Sequence, residues 1–552
     1  MNNAPLLTPW QRFLGILKLE RHDILQVLYY AVFSGFVSLT LPLGIQAIIN
    51  LIQGAQVSTS WIILVILVTL GVAFVGTLQL MQMRIIETIQ QRIFMRASFE
   101  FTYRFPKIKM NQLTNYYPPE LANRFFDVLS IQKGLAKLLL DVPAAVLQII
   151  FALILLSFYH PFFIAFGLLL IALIYVVFKF TIDRGMETSL KESKQKYRVA
   201  HWIQEVARSI TSFKISGKTA LALEKNDVLV DGYLEARESH FKILVLQFIQ
   251  MIAFKVIVTG GLLLIGGLLV LSQEMNIGQF VAAEIIILLV IASVEKLILG
   301  LEAFYDVLTS LEKMGQVVDK EIEKQDGEYP PFDENFTLKL EGIGYSAIDR
   351  IAPILKDISL SVKAKSRVLI QGASGAGKSS LIRIISGLLN PTEGNIYLND
   401  VNVKNIHLNY YRSYLGLSFS DETPFEGSIR ENITFGDKNI SSDRIREVAE
   451  SIGLMPFIRE SEKGLDTVIY PEGRQTPFTV AKKIILARAI VKEPKLLILE
   501  DPLEHFEKEE ALKLIKYLTD PSHPWALIVV SFNKDWAMAC TETINLRRGQ
   551  II

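Results

Sequence analysis

The stretch Gly372-Ala-Ser-Gly-Ala-Gly377-Lys378-Ser379 decides how the second half of this chain folds and what it binds. It fits the pattern G-x-x-x-x-G-K-[ST] and lies between the apolar run Arg367–Gln371 and the helix-like segment Ser380–Leu389. A strand, a glycine loop and a helix start in this order surround a polyphosphate with backbone N–H groups and the positive end of a helix dipole. Lys378 neutralises the outer phosphates, and the Ser379 hydroxyl is suited to Mg²⁺. The sequence therefore predicts a nucleotide site here rather than an ordinary glycine-rich turn.

The composition indicates a membrane protein. The chain has 552 residues, of which 51% are hydrophobic and 20% are charged, and its mean hydropathy is +0.34. These values are too apolar for an ordinary soluble enzyme. The net charge of +1 gives no reason to expect a nucleic acid partner. Because Cys540 is the only cysteine and the seven histidines are scattered, we expect neither a disulfide nor a metal site of the protein's own.

The apolar residues are concentrated in the N-terminal half. Six stretches there are long enough to cross a bilayer core of about 30 Å. They are residues 24–49, 61–83, 138–158, 162–180, 244–271 and 279–299. Buried helices of a soluble core are the alternative, but segments this long and nearly free of charge do not suit such a core. The first stretch is also too long for a cleavable signal peptide. We expect a membrane domain over residues 1–310.

The connections between the stretches predict the orientation. The three short connections carry almost no charge, whereas the long connections at 84–137 and 183–242 are charged, and the first of them is strongly basic. By the positive-inside rule, both long connections, the N-terminus and the C-terminal half are expected in the cytoplasm. Both long connections also have the composition of helices. We therefore expect a multi-pass protein of the inner (plasma) membrane whose helices continue well into the cytoplasm.

The pattern changes after the last apolar stretch. Residues 311–335 are charged and then rich in proline and acid, as in a linker, and residues 336–552 have the pattern of a soluble α/β domain. The expected strands are Phe336–Leu340, Ile358–Val362, Arg367–Gln371, Leu496–Leu499 and Ala526–Val530. Continuous apolar runs among them are typical of buried parallel strands. Ligands of such sheets bind at the carboxyl ends of the strands, where the glycine loop lies.

Six spans with long cytoplasmic extensions, a linker and a phosphate-loop domain resemble an ABC exporter half-transporter over essentially the whole chain. The fold that this resemblance implies is an all-α six-helix membrane domain followed by a cytoplasmic α/β P-loop NTPase domain. Further segments resemble other motifs of the family. Ser428–Ile433 resembles the region after the glutamine loop, Glu472-Gly473 the acidic X-loop, Ile485–Ile490 the helix after the signature, and Leu496–Asp501 the Walker B strand. Pro118–Gln132 and Glu205–Lys218 resemble the two segments that form coupling helices.

The resemblance implies a site for ATP and Mg²⁺. Tyr345 matches the aromatic residue that stacks on adenine, and Ser379 and Glu500 match the ligands of the Mg²⁺ that arrives with ATP. The nucleotide-binding residues implied are Tyr345, Gly372, Ser374, Gly375, Ala376, Gly377, Lys378, Ser379, Ser380, Ser420 and Glu500.

Several positions depart from the family pattern. Ser420 stands at the position of the glutamine that senses Mg²⁺, and serine is too short to span the same gap without a water. Thr476–Val480 replaces the Leu-Ser-Gly-Gly-Gln signature, so that Pro477 removes a backbone donor and Phe478 adds bulk where the family has bare backbone.

The two acidic residues of the Walker B segment are inverted relative to the family. Glu500 stands where the family has the aspartate that helps hold Mg²⁺, and Asp501 stands where it has the glutamate that positions the attacking water. Phe532 occupies the place of the switch histidine and can neither hydrogen-bond a phosphate nor move a proton. Asp501 is therefore a shortened base and Phe532 an inactive switch residue.

These departures favour a subunit that binds ATP but hydrolyses it slowly or not at all. In the family, two such domains enclose two ATP molecules, each held between one subunit's Walker motifs and the other's signature. We therefore expect a dimer with a second half-transporter, with a heterodimer favoured and a homodimer possible. The alternatives are a fully active homodimeric exporter with unconventional residues and an ATP-sensing membrane regulator that does not transport.

The membrane half says less about cargo. Lys255 and Glu295 lie at matching depth in the last two spans, where they either pair with each other or snorkel separately to the interface. Glu284 is shallower and is the better candidate to face a water-filled cavity. The spans and the segment Leu41–Gln46 look most like the peptide- and protein-exporting branch, including type I secretion, so secretion partners are possible.

Overall fold

The computed structural model describes residues 7–54, 59–114, 116–332, 335–347 and 350–552. Its contacts divide the chain into two compact units, Met1–Pro106 with Asn115–Lys320 and Lys107–Thr114 with Glu321–Ile552. A short piece of the first long connection therefore belongs to the second unit. It is held there by an antiparallel bridge between Ile108 and Ile322.

The first unit is helical. Its helices are α1 Pro9–Leu19, α2 Arg21–Ser38, α3 Thr40–Gln53, α4 Thr59–Arg104, α5 Pro118–Ala122, α6 Asp127–Ser157, α7 Phe162–Arg208, α8 Ile210–Ile215, α9 Leu221–Leu271 and α10 Ile277–Val318. Within the described residues, six helical segments are long and apolar enough to cross a membrane, as expected. The 46 residues of α4 make it about 69 Å long, more than twice the hydrocarbon core, a length that is compatible with the predicted extension beyond the bilayer.

The first span is divided at Leu39 into α2 and α3. Pro42 lies in the first turn of α3, where proline is tolerated, but it has no N–H to donate to the carbonyl of Ser38. The missing hydrogen bond weakens the helix at this point, where α2 ends, although both pieces belong to the same apolar segment.

Helix α10 forms the core of the first unit together with α7 and α9. Its Tyr305 is fully buried, donates a hydrogen bond to the Thr181 carbonyl at 3.2 Å and accepts one from the Gln247 side chain at 3.0 Å. A β-carbon at Gly185 would lie 2.3 Å from the Tyr305 ring, so only glycine lets α7 approach so closely. One tyrosine thus holds three long helices together.

The second unit is an α/β domain. Its elements are β1 Thr337–Tyr345, β2 Leu355–Lys363, β3 Arg367–Gln371, α11 Lys378–Ile385, β4 Glu393–Leu398, β5 Val401–Asn402, α12 Leu408–Ser413, β6 Leu415–Ser418, β7 Gly427–Ser428, α13 Ile429–Thr434, α14 Ser442–Ser451, α15 Met455–Glu460, β8 Val468–Ile469, α16 Phe478–Ile490, β9 Leu496–Glu500, α17 Lys508–Leu518, β10 Ala526–Val530, α18 Asp535–Ala539, β11 Glu542–Arg547 and β12 Gln550–Ile551. The larger sheet has the order β12-β11-β3-β10-β9-β6, with β12 antiparallel and the other strands parallel. An antiparallel sheet has the order β2-β1-β4-β5.

The parallel sheet is buried on both faces. In β9, Leu497 and Leu499 join the apolar cluster formed with α13, α14, α16 and α17, whereas Leu496 and Ile498 join the opposite cluster, which includes α11 and the antiparallel sheet. Successive side chains of a strand point to opposite faces. This two-sided burial explains why β9 and β10 have continuous apolar sequences.

Two expected boundaries differ from the structure. Helix α10 continues to Val318, so the first residues of the segment expected to be a linker are helical. Near its other end, Phe332 is buried among the core residues of the second unit. The charged composition of this segment concealed both features, since helix continuation and the burial of one ring depend on contacts with distant residues.

Candidate nucleotide site

The glycine loop leaves β3 and enters α11 at Lys378. Gly372 and Gly377 have φ values of +154° and +101°, which side chains other than glycine rarely adopt. A β-carbon at Gly372 would also lie 2.2 Å from the carbonyl oxygen of Leu546 in β11. The loop therefore requires glycine to pass this close to the neighbouring strand. The first N–H groups of α11 have no partner inside the helix, so they are available to a phosphate.

Two further site segments reach the same edge of the sheet. Strand β10 pairs in parallel with β3 and β9, and Val530 lies opposite both Ile370 and Glu500. Asp501 and Phe532 follow these strands by one and two residues, as the glycine loop follows β3. The structure thus brings three predicted segments together at the carboxyl edge, where ligands of parallel sheets bind.

Tyr345, in the antiparallel sheet, is linked to the loop through Ile354. It ends β1 half-buried, and its carbonyl accepts a hydrogen bond from the Ile354 N–H at 2.7 Å. A β-carbon at Gly377 would lie 3.0 Å from the Ile354 carbonyl oxygen. In space, Ile354 alone therefore lies between the predicted adenine-stacking residue and the end of the phosphate loop.

The Lys378 ammonium is surrounded by groups of its own chain. Its Nζ donates hydrogen bonds to the carbonyls of Gly372 at 2.8 Å and Ala373 at 3.1 Å, and it lies 4.4 Å from the centre of the Phe532 ring. Burial lowers the pKa of Lys378, and the carboxylates of Asp501 and Glu500 oppose this effect. The predicted phosphate ligand and the residue at the switch position are therefore in direct contact.

Glu500 and Ser420 also meet in the site. Glu500 is buried, and its carboxylate accepts a hydrogen bond from the Ser420 N–H at 3.4 Å. The sequence interpretation missed Lys482 of α16, whose Nζ donates to the Ser420 carbonyl at 2.6 Å. Burial lowers the pKa of Lys482. A lysine in a helix pattern is usually solvated, so no local signal identified this contact.

Asp501 is bound within its own chain. Its N–H donates a hydrogen bond to the carbonyl of Val530, the last residue of β10, at 2.8 Å. Burial raises the pKa of Asp501, and the interaction with Ser531 opposes this change. Asp501 also has a φ of +40°, a strained value for a residue other than glycine. The shortened base is thus fixed to the end of β10, two residues before the switch position.

The segment at the signature position begins α16. Pro477 is the N-cap of this helix, and its side chain provides no hydrogen bond to the first turn. Phe478 is half exposed and packs edge-on against His505, with ring centres 5.2 Å apart. The bulk predicted from the sequence is therefore present on the surface at the start of this helix.

These residues fit a nucleotide with Mg²⁺. The glycine loop excludes β-carbons where phosphate oxygens would need the backbone, and Lys378, Ser379 and Glu500 supply a cation, a hydroxyl and a carboxylate. Among the described residues, no three His, Cys, Asp or Glu side chains form a group suited to a metal. A magnesium ion would therefore need oxygen ligands from a bound phosphate in addition to Ser379 and Glu500.

In the membrane unit, Lys255 and Glu295 form an ion pair. The Lys255 Nζ lies 2.6 Å from a Glu295 carboxylate oxygen, and about a third of each side chain is exposed. Of the two alternatives left open by the sequence, pairing between neighbouring spans is confirmed. Glu284 is half-buried on α10.

Two family models match the chain. The model "ABC transporter transmembrane region" matches residues 24–294, and the model "ABC transporter" matches residues 355–504. Together they cover most of the sequence in the order of a half-transporter, with one membrane region followed by one ATP-binding domain. The chain therefore belongs to the ABC transporter family.

Two kinds of known protein are similar to this chain. The solved structure of a bacterial Atm1-family ABC exporter with ATP bound superposes with a TM-score of 0.85 and 17% identity over 97% of this chain and 95% of that one, which shows the shared fold. The leukotoxin translocation ATP-binding protein LktB of Mannheimia haemolytica is 24% identical over 352 residues, which are 63% of this chain and 49% of LktB. LktB of Bibersteinia trehalosi gives the same values. The chain spans about half the length of these curated relatives.

Proposed function

We propose that this chain is the catalytically weak subunit of a dimeric ABC exporter, binding ATP and Mg²⁺ at the glycine loop and hydrolysing ATP slowly or not at all. The observation that carries this proposal is the position of Asp501. Its carboxylate is one methylene shorter than the glutamate of the family, and its backbone is held at a φ of +40° with the N–H bonded to the Val530 carbonyl at 2.8 Å. A displacement of about 1 Å in a reacting geometry costs roughly a hundredfold in rate.

The remaining departures support a heterodimer. Phe532 has no group that binds a phosphate, and Pro477 with Phe478 replaces the bare backbone of the signature. A homodimer would combine these defects in both of its sites. We therefore favour pairing with a second half-transporter whose own acidic residue and histidine are intact, so that turnover depends mainly on that subunit.

The same proposal places the protein across the inner membrane, with the N-terminus and the nucleotide domain in the cytoplasm. The strongly basic first connection supports this orientation. A peptide or protein is the proposed substrate class, because a relative is named for the translocation of leukotoxin. Partner proteins of a secretion system are expected only if the substrate is a peptide or protein.

ATP hydrolysis by the full-length chain in lipid tests the proposal. Alone, the chain should hydrolyse ATP no faster than its Lys378→Ala variant, and hydrolysis should appear when a half-transporter with intact motifs is co-reconstituted. Turnover by the lone chain at the rate of ordinary family members would refute the proposal and favour the active homodimer. In the assembled pair, loss of export after Lys378→Ala would argue against a purely structural role for this chain, provided that the pair still assembles.

A further inference from the structure

The ammonium of Lys378 is fully engaged by this chain. An ammonium has three N–H donors, and two of them bond to the carbonyls of Gly372 and Ala373 at 2.8 and 3.1 Å. The Phe532 ring covers the group at 4.4 Å, within the range of a cation–π contact. The Lys378 side chain is consequently only 8% exposed, whereas Phe532, with its other face in solvent, is 61% exposed.

A diphosphate and a triphosphate depend on these groups to different extents. The backbone N–H groups of the loop and of the first turn of α11 are available to both nucleotides. The terminal phosphate of ATP depends more on the lysine and on the residue at position 532. To reach that phosphate, Lys378 must give up its contact with the Phe532 ring, and phenylalanine provides no donor in exchange.

We infer that Phe532, by covering Lys378, makes this site nearly insensitive to the terminal phosphate, so that it binds ADP and ATP with similar affinity. The inference rests on the proposed function insofar as the glycine loop must bind adenine nucleotide. Occupancy of the site then follows the total adenine nucleotide concentration rather than the ATP concentration. Such a site remains filled while the second site of the dimer turns over.

Nucleotide competition on the full-length chain in lipid nanodiscs tests the inference. With Mg²⁺ present, a fluorescent ADP is displaced by ADP or by a non-hydrolysable ATP analogue, and the ratio of the two dissociation constants is measured. The wild-type ratio is expected to lie within about threefold of one. Phe532→His should shift this ratio in favour of the ATP analogue by about tenfold. Phe532→Leu should shift it in the same direction by between about twofold and thirtyfold, which corresponds to the energy range of a cation–π contact.

The control is a second phenylalanine that covers a cation. Phe435 is 65% exposed and lies 4.7 Å from the Arg488 guanidinium, so Phe435→Leu removes a similar contact outside the site and should leave both affinities unchanged. The inference would be overturned if the wild type preferred the ATP analogue by more than about tenfold. It would also be overturned if Phe532→Leu gave the same ratio as the wild type, and neither outcome would speak against nucleotide binding itself. Failure of both nucleotides to bind would overturn the proposed function as well.

Discussion

Gly372→Ala is expected to remove most nucleotide binding while leaving the chain folded. The new β-carbon would lie 2.2 Å from the carbonyl oxygen of Leu546, and such contacts are essentially never below 3.0 Å. The atoms must therefore separate by at least 3.0 − 2.2 = 0.8 Å. Because Leu546 is buried in β11, which pairs with β3, the more exposed glycine loop is the part that moves.

The size of the effect follows from this displacement. Hydrogen bonds from backbone N–H groups span only about 0.5 Å in length, from roughly 2.7 to 3.2 Å. A shift of 0.8 Å therefore breaks one or two of the bonds that the loop would donate to phosphate. Bonds to charged groups contribute about 1.5 kcal/mol or more each, so ATP binding should weaken about tenfold to a hundredfold.

Titration of the full-length protein in nanodiscs with a fluorescent ATP and Mg²⁺ measures this change, and thermal unfolding checks that the variant is folded. Gly436→Ala is the matched control, because Gly436 has a φ of +76° but no atom within 4 Å of a β-carbon. It carries the same kind of backbone strain outside the loop and should bind ATP normally. If Gly372→Ala bound ATP within about threefold of the wild type, the assignment of the phosphate site to this loop would be wrong.

Three further predictions concern other contacts. Lys255→Glu alone should lower stability in lipid by roughly 1 kcal/mol, because it places two acids together. Adding Glu295→Lys should restore the melting temperature, and equal melting temperatures for the single and double variants would contradict this prediction. Arg488→Met removes the buried partner of Glu422, whose pKa is raised by burial, and should cost roughly 3–5 kcal/mol. An acid whose pKa is raised in the folded state can be protonated at pH 5 but is charged at pH 8. The loss of stability caused by Arg488→Met, measured by thermal unfolding, should therefore be larger at pH 8 than at pH 5, and the reverse order would refute the reasoning. Ser379→Ala should make ATP affinity nearly independent of Mg²⁺ in titrations with and without EDTA, whereas an unchanged Mg²⁺ dependence would exclude this hydroxyl as a ligand.

Local features of the sequence were sufficient to predict much of the architecture. Arg367–Gln371 and Ala526–Val530 are strands with the expected bounds, and the six apolar stretches belong to long helices. Apolar length and glycine spacing can be recognised from neighbouring residues alone, because they act through burial and backbone conformation. Strand β1 extends further than expected, since its end is decided by the pairing of Tyr345 with Leu355 in another strand.

The sequence by itself determined that a phosphate-loop domain follows six apolar spans, because each of these features is written in consecutive residues. Only the tertiary structure decided which side chains meet in the site. Phe532 covers Lys378, Lys482 reaches the carbonyl of Ser420, and the Asp501 N–H bonds to the carbonyl of Val530. These partners are far apart in the chain, and they meet because parallel strands place their carboxyl ends at one edge and side-chain packing then fixes each direction.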